Sequence, residues 1–299
     1  MSKGKNPMAS VTLPFLLRRM RVAVRPRGGA AAAVPWDPAA FAGDAAVTWI
    51  GHASFLVRMD GATFVSDPIF SHRCSPFSFM GPPRLVPPGI ALDALPRLDF
   101  ALLSHDHYDH TDRASIRALG ARGVRFLVPR GMAELVRGFG AQAEELAWWE
   151  SREVAGVRVH CVPAQHFSGR SLTDRNRRLW AGWVVEGKTR RFYHAGDTGY
   201  FGGFTAIGKR FGPIDLAAMP VGAYLPREMM SHVHVNPEEA VRAALDLGAR
   251  RVLAMHFGTF DLADEPLDEP PRRFRAEAAR LGLGEDRAWV LKIGETRAW

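Results

Sequence analysis

The sequence predicts an α/β (α+β) fold of two mixed β-sheets with helices packed on their outer faces. Three observations predict it. Short β-type runs recur between Ala46 and Ile293, several joined by hairpin turns. Helix-like segments are interleaved with these runs rather than collected at one end. No shift in composition splits the chain beyond residue 45, and 47% of the 299 residues are hydrophobic, enough for a sizeable core.

Residues 1–44 read as tail and linker, and residues 45–299 as one domain. The net charge is +8, yet Lys3, Lys5, Arg18, Arg19, Arg21, Arg25 and Arg27 all precede the first acid, Asp37. The body is therefore nearly neutral, which argues against a nucleic-acid surface. Val11–Val24 mixes apolar and basic residues. Arg18, Arg19 and Arg21 interrupt the apolar run that a secretory signal needs. The tail reads either as a solvated arm or as a segment making peripheral membrane contact. Gly28–Pro38 is rich in Gly, Ala and Pro and reads as a linker. No run of about 20 apolar residues exists, so no spanning helix is expected. The two cysteines, Cys74 and Cys161, form no Cys-x-x-Cys pair and fit a reducing, cytoplasmic setting.

The domain opens with Ala46–Ile50, Phe55–Met59 and Thr63–Ser66, the last two joined by Asp60-Gly61. Residues 68–98 hold seven prolines, from Pro68 to Pro96, and read as an extended surface loop. Phe100–Ser104 is a short buried strand. A helix at Ala114–Leu119, a strand at Val124–Val128 and a helix at Gly131–Phe139 follow. Strands are expected at Ser151–Ala155, Val157–Ala164, Leu179–Glu186, Arg191–His194 and Leu216–Pro220. Asn236-Pro237-Glu238-Glu239 starts a helix with an Asn cap, Pro at the first position and acids in the first turn. Arg251–Met255 is a strand, Pro270–Leu281 a helix and Ala288–Ile293 a final strand.

Chemistry concentrates where the Phe100–Ser104 strand ends: His105-Asp106-His107-Tyr108-Asp109-His110. Side chains alternate along an extended segment, so His105 and His107 share a face and Asp106 points away. A tight turn can return Asp109 and His110 to the same cavity. Imidazoles and a carboxylate suit zinc and similar ions. Three later candidates each follow an expected strand: His166, Asp197 in Ala195-Gly196-Asp197-Thr198-Gly199, and His256 after Leu253-Ala254-Met255. With two carboxylates in the set, one can bridge two cations.

This order of motifs resembles the metallo-β-lactamase superfamily. Trp49–Phe55, Ser66–Phe70, Leu172–Asn176, Gly196–Tyr200, Phe211–Leu216, His234–Ala240 and Met255–Phe260 resemble, within it, N-acyl-phosphatidylethanolamine-hydrolysing phospholipase D and its bacterial relatives. The resemblance implies a four-layer αββα fold with the site at the edge where the sheets meet. It implies two divalent metal ions, zinc first. His105, His107 and His166 would hold one, Asp109, His110 and His256 the other, and Asp197 would bridge them. Net positive charge there would make a bridging water acidic enough to act as nucleophile and would attract an anionic substrate.

The reaction expected is hydrolysis of a phosphodiester in a phospholipid, with His234 the first candidate for proton transfer; the alternative for His234 is a capping role before the Asn-Pro helix. Asp67 would orient the metal loop by hydrogen bonds. His52 is either a second layer of the site or a turn histidine. Arg170, Arg175 and Arg178 either meet substrate phosphate or stay structural. Trp148 and Trp149 are expected to pack at the core edge, and His72, His160, His194 and His232 to ligate nothing. Two further functions compete: a lactonase or small-molecule phosphodiesterase of the same superfamily, and a non-catalytic metal-stabilised binding protein. A homodimer is expected from the resemblance.

Overall fold

The computed structural model describes residues 29–171 and 173–299; the tail over Val11–Val24 and Leu172 lie outside the described residues. The first sheet is built from β1 (Ala46–Gly51), β2 (Ser54–Met59), β3 (Ala62–Ser66), β4 (Phe100–Leu102), β5 (Arg125–Pro129) and β6 (Gln142–Leu146). The second holds β7 (Ser151–Val154), β8 (Val157–Val162), β9 (Gly182–Glu186), β10 (Arg191–His194), β11 (Ile214–Pro220), β12 (Ala249–Met255) and β13 (Ala288–Trp289). The last strand, β14 (Thr296–Ala298), crosses back to the first sheet and pairs antiparallel with β1. Both sheets are mixed, with the same order of directions. β14-β1-β2-β3 and β7-β8-β9-β10 are antiparallel; β3-β4-β5-β6 and β10-β11-β12-β13 are parallel.

Period-two alternation decides which side chain faces which layer. Val47, Trp49, Phe55, Val57, Phe64, Phe100, Leu102 and Leu127 join the core shared with the second sheet. Their neighbours Ala46, Ile50, Leu56, Val65, Ala101, Phe126 and Val128 face the other way. There they meet Ile116 and Leu119 of α1 (Arg113–Ala121) and Val136 of α2 (Ala133–Gly138). Phe204 and Ile207 of α3 (Gly203–Phe211), Val241 of α5 (Pro237–Asp246) and Phe274 of α6 (Glu269–Arg280) join the core on the second sheet's side. A short α4 (Arg227–Met230) precedes α5. These are the two sheets and outer helices that the sequence implied. No helix among the described residues is long and apolar enough to cross a membrane.

Several expectations change. β6, α3 and α4 were not legible in the sequence. The strand expected at Ala288–Ile293 is cut to Ala288–Trp289, and the chain then turns at Gly294 (φ 90°) to deliver β14 to β1. Part of the expected linker is fastened to the body. Ala31 N–H donates to Gly258 O at 2.9 Å, and Val34 N–H to Ile293 O at 2.8 Å. The Asn236 cap is present as a full capping box with Glu239.

Trp183 on β9 crosses between the sheets: its buried indole N–H donates to Leu103 O at 2.9 Å, beside the chain that enters the histidine cluster. Trp183→Ala should cost about 3–5 kcal/mol of stability. Trp183→Phe keeps most of the packing and should cost about 1–2 kcal/mol. Urea unfolding of both variants checks the order; equal losses would mean that the hydrogen bond, not the packed volume, dominates.

Candidate metal centre

β1 is antiparallel to β2 and β2 to β3, so β1, β3 and β4 run the same way. By the same reasoning β8, β10, β11 and β12 share one direction. The chain leaves these strands at one edge. His52 follows β1, Asp67 follows β3 and the histidine cluster follows β4. His166, Asp197 and His256 follow β8, β10 and β12. His52, Asp67 and His256 take left-handed backbone, with φ of 55°, 37° and 65°. Such strain in non-glycine residues persists only where the surroundings hold it. It swings each side chain out of the strand and into the cavity. Gly196 (φ 60°) allows the Asp197 loop to touch Ser104; a Cβ there would lie 2.7 Å from Ser104 Cβ.

The cluster folds back on itself as the motif requires. His110 and Thr111 N–H groups donate to His107 O at 3.2 and 2.8 Å, and Thr111 Oγ1 to His105 O at 2.6 Å. The side chains then gather around Asp197 Oδ2. His256 Nε2 is 3.1 Å from it, His110 Nε2 3.2 Å, His105 Nε2 3.8 Å, His166 Nε2 3.9 Å and His234 Nδ1 4.0 Å. Two donor groups flank this carboxylate. His105, His107 and His166 make one; Asp109, His110 and His256 make the other, joined by His52. His52 Nε2 is 3.0 Å from Asp109 Oδ2. The structure thus brings together all seven expected ligand residues and adds His52 and His234. The side chain of His234 faces Asp197, and the helix cap expected of it as an alternative is made by Asn236.

Around this group lies a layer of oriented partners. Asp67 accepts from Ser104 N–H at 2.7 Å, and its Oδ2 contacts His110 Nδ1 at 2.8 Å. His166 Nδ1 donates to Val233 O at 3.0 Å, leaving Nε2 for the centre. Asp106 does face away: it accepts from Gly169 N–H and from Arg178 at 2.9 Å. Arg170 donates to Asp106 O and Thr111 O and stacks on Tyr108, so its guanidinium braces the loop. Arg178 joins Asp106 to Asp174, and Arg175 lies over Phe167. Trp148 and Trp149 pack against the core.

His194, for which the sequence offers no ligand role, holds the site together through hydrogen bonds. Its Nδ1 accepts from Gly196 N–H at 3.1 Å and its Nε2 donates to Ala53 O at 3.0 Å, tying the Asp197 loop to the His52 turn. Its position at the end of β10, two residues before Gly196, was the available signal.

Burial and charge shape the titration. Burial, aided by neighbouring imidazoles, holds His105 well below the ordinary histidine value and His52 down at about 3. Burial also pushes His234 down to about 4. His256 goes the other way: burial opposes its charge, but Asp197 and Asp109 outweigh it and raise the ring to about 9. The same carboxylates raise His110. Asp197 and Asp109 are held well below the carboxylate range, against burial, first by His110. Their partners leave atoms over: Asp197 Oδ1, His110 Nε2, His256 Nε2 and His234 Nδ1 are buried with no hydrogen bond. A buried polar atom left this way costs about 1–3 kcal/mol. Imidazole nitrogens and carboxylate oxygens converging without hydrogen-bond partners are, once the rings are deprotonated, the donor set that zinc and related divalent ions take, so the residues fit such ions.

Residues 63–257 match the family model of the beta-lactamase superfamily domain. An N-acyl-phosphatidylethanolamine-hydrolyzing phospholipase D of Caenorhabditis elegans is 42% identical over 263 residues, covering 83% of this chain and 74% of that protein. A UPF0173 metal-dependent hydrolase of Methanopyrus kandleri is 29% identical over 255 residues, covering 84% and 98%. A solved metallo hydrolase from Ignicoccus hospitalis superposes with a TM-score of 0.66 at 22% identity, covering 85% of this chain and 98% of that one. The chain belongs to the metallo-β-lactamase superfamily and is one of its metal-dependent hydrolases.

Proposed function

We propose that the protein is a phosphodiesterase of phospholipase D type that cleaves N-acyl-phosphatidylethanolamine-like lipids with two divalent cations, zinc first. The observation that carries the metal chemistry is the pair of donor groups sharing Asp197. The similarity to the Caenorhabditis elegans enzyme supports the lipid phosphodiester. His105, His107 and His166 would hold one cation, Asp109, His110 and His256 the other, and Asp197 both. When bound, the cations would supply an acidified water as nucleophile and neutralise charge developing on the phosphoryl oxygens.

The chain's own residues do the rest. Asp67 and Ser104 fix the His110 and His105 rings. Burial of the group excludes bulk water, so charges there act strongly. His234 stands beside Asp197 and is held neutral by burial, so it would donate a hydrogen bond from a ring N–H to the departing oxygen, whose own proton would come from the water consumed in the hydrolysis.

Metal-free protein should bind protons where the cations would go. His256, raised from 6.5 to about 9, is charged at neutral pH and must lose its proton to ligate. A raised folded value adds stability that is complete below about 6.5 and is lost as pH rises through about 9. The melting temperature of metal-free protein should therefore fall across that window. Zinc should release protons on binding near pH 7 and bind more tightly as pH rises. Calorimetry in buffers of different ionisation enthalpy reads the release; no release at pH 7 would contradict a charged His256.

Three enzymatic outcomes are expected. The metal-loaded protein should release phosphatidic acid from N-acyl-phosphatidylethanolamine, and full occupancy without turnover of any phosphodiester would sink the proposal. Asp197→Asn should lower both metal content and activity, the latter by on the order of 100-fold or more. His234→Gln should keep its metal. It should lose about 100-fold on the lipid but little on bis-p-nitrophenyl phosphate, whose phenolate leaving group is stable without a hydrogen bond from the ring.

A further inference from the structure

Exposed apolar side chains are concentrated in one place. Five large hydrophobic residues stand exposed among the described residues, and Phe77 (48%), Phe79 (76%) and Met80 (54%) share one loop tip. Soluble surfaces scatter such residues singly, and a contiguous set marks an interaction site. The tip, Ser75-Pro76-Phe77-Ser78-Phe79-Met80-Gly81, carries no charge. The Phe77 and Phe79 rings lie 5.6 Å apart and form one apolar platform.

The tip stands on a built stem. Arg73 donates to Gly81 O at 2.5 Å, Cys74 N–H to Pro82 O at 3.3 Å and Arg84 N–H to His72 O at 2.6 Å. Both limbs of the stem are bound to the walls of the metal centre. Ser71 Oγ donates to Asp112, two residues beyond His110, at 2.8 Å. Arg84 lies over the Phe260 ring, which in turn meets His52 at 5.3 Å. Beside the tip runs an open groove lined by His72, Arg73, Arg113 and Arg117, with Asp112 as its one acid. That carboxylate is already engaged by Ser71 and by the start of α1.

An uncharged aromatic tip above a basic collar matches the layers of an anionic bilayer: apolar below, phosphate at the rim. We propose that residues 75–81 insert into an anionic lipid surface, with Arg113 and Arg117 meeting headgroup phosphates, so that the metal centre is docked where its substrate resides. This rests on the lipid reading of the site, because only a bilayer-resident substrate calls for such docking.

The test uses the full, zinc-loaded chain and sedimentation with vesicles of phosphatidylcholine, with and without phosphatidylglycerol. The combined variant Phe77→Ser, Phe79→Ser, Met80→Ser should weaken vesicle binding by on the order of 100-fold or more, since each buried apolar side chain carries on the order of tenfold. Its hydrolysis of bis-p-nitrophenyl phosphate and its melting temperature should match the parent. Arg113→Ser with Arg117→Ser should weaken binding to the anionic vesicles and leave the neutral ones unaffected. Unchanged vesicle binding in the triple variant overturns the proposal, as does loss of self-association in place of lipid binding. The substrate reading fails separately. A parent that docks through this tip but cleaves no lipid phosphodiester keeps the docking and loses the substrate. Cleavage of lipid in detergent micelles with loop-independent vesicle binding does the reverse.

Discussion

An ionised carboxylate with 3% of its surface exposed is costly unless charge or hydrogen bonds surround it. Asp197 is that group, and five imidazoles stand within 4.0 Å of its Oδ2. Two of them, on His110 and His256, carry enough positive character to hold it ionised, while burial keeps His105, His166 and His234 neutral. A neutral imidazole offers a lone pair and a charged one offers only protons. The cluster is therefore divided between donors ready for a cation and donors whose protons a cation must displace. Charge balance around one oxygen sets both the affinity for metal and its dependence on pH.

Holding those rings in place is the work of the surrounding chain. Asp67 reaches both His110 and Ser104, and Ser104 Oγ reaches His105 Nδ1 at 2.9 Å, so one carboxylate orients both rings. His194 fastens the Asp197 loop to Ala53, and Arg170 braces the cluster through Asp106 O and Thr111 O. Backbone strain at His52, Asp67 and His256 is concentrated where strands end, and their backbone N–H groups are held by Thr259 Oγ1, Leu102 O and His52 O.

What the sequence disclosed follows from how local each feature is. The six-residue cluster was legible because strand alternation and one turn fix it within its own segment. His166, Asp197 and His256 were legible as strand ends, and the resemblance ordered them into two sets. His194 was not, because its role is two hydrogen bonds to backbone that lies near only in the folded chain. β14 was hidden for the same reason: Thr296-Arg297-Ala298 has no apolar alternation, and its partner on β1 is some 250 positions earlier. Charge alone left Arg170 and Arg178 open between substrate phosphate and a structural role; the Asp106 carbonyl and carboxylate that occupy them lie on a distant segment.

The two matched halves of the fold explain why the site sits where it does. The half ending at β6 contributes His52, Asp67 and the cluster, and the half from β7 onward contributes His166, Asp197, His234 and His256. Neither donor group is complete within one half: His166 completes the first set, and His256 the second. Cation binding therefore requires the sheets to be docked face to face, with Trp183 against Leu103 and Phe64 against Phe192. Any energy released on binding metal is released only in that docked state, so it adds to the stability of the interface between the sheets. The crossing of β14 acts in the same direction, since the C-terminal strand of the second half is hydrogen-bonded into the first sheet. The edge that carries the chemistry is thus the edge on which correct assembly of the two halves depends.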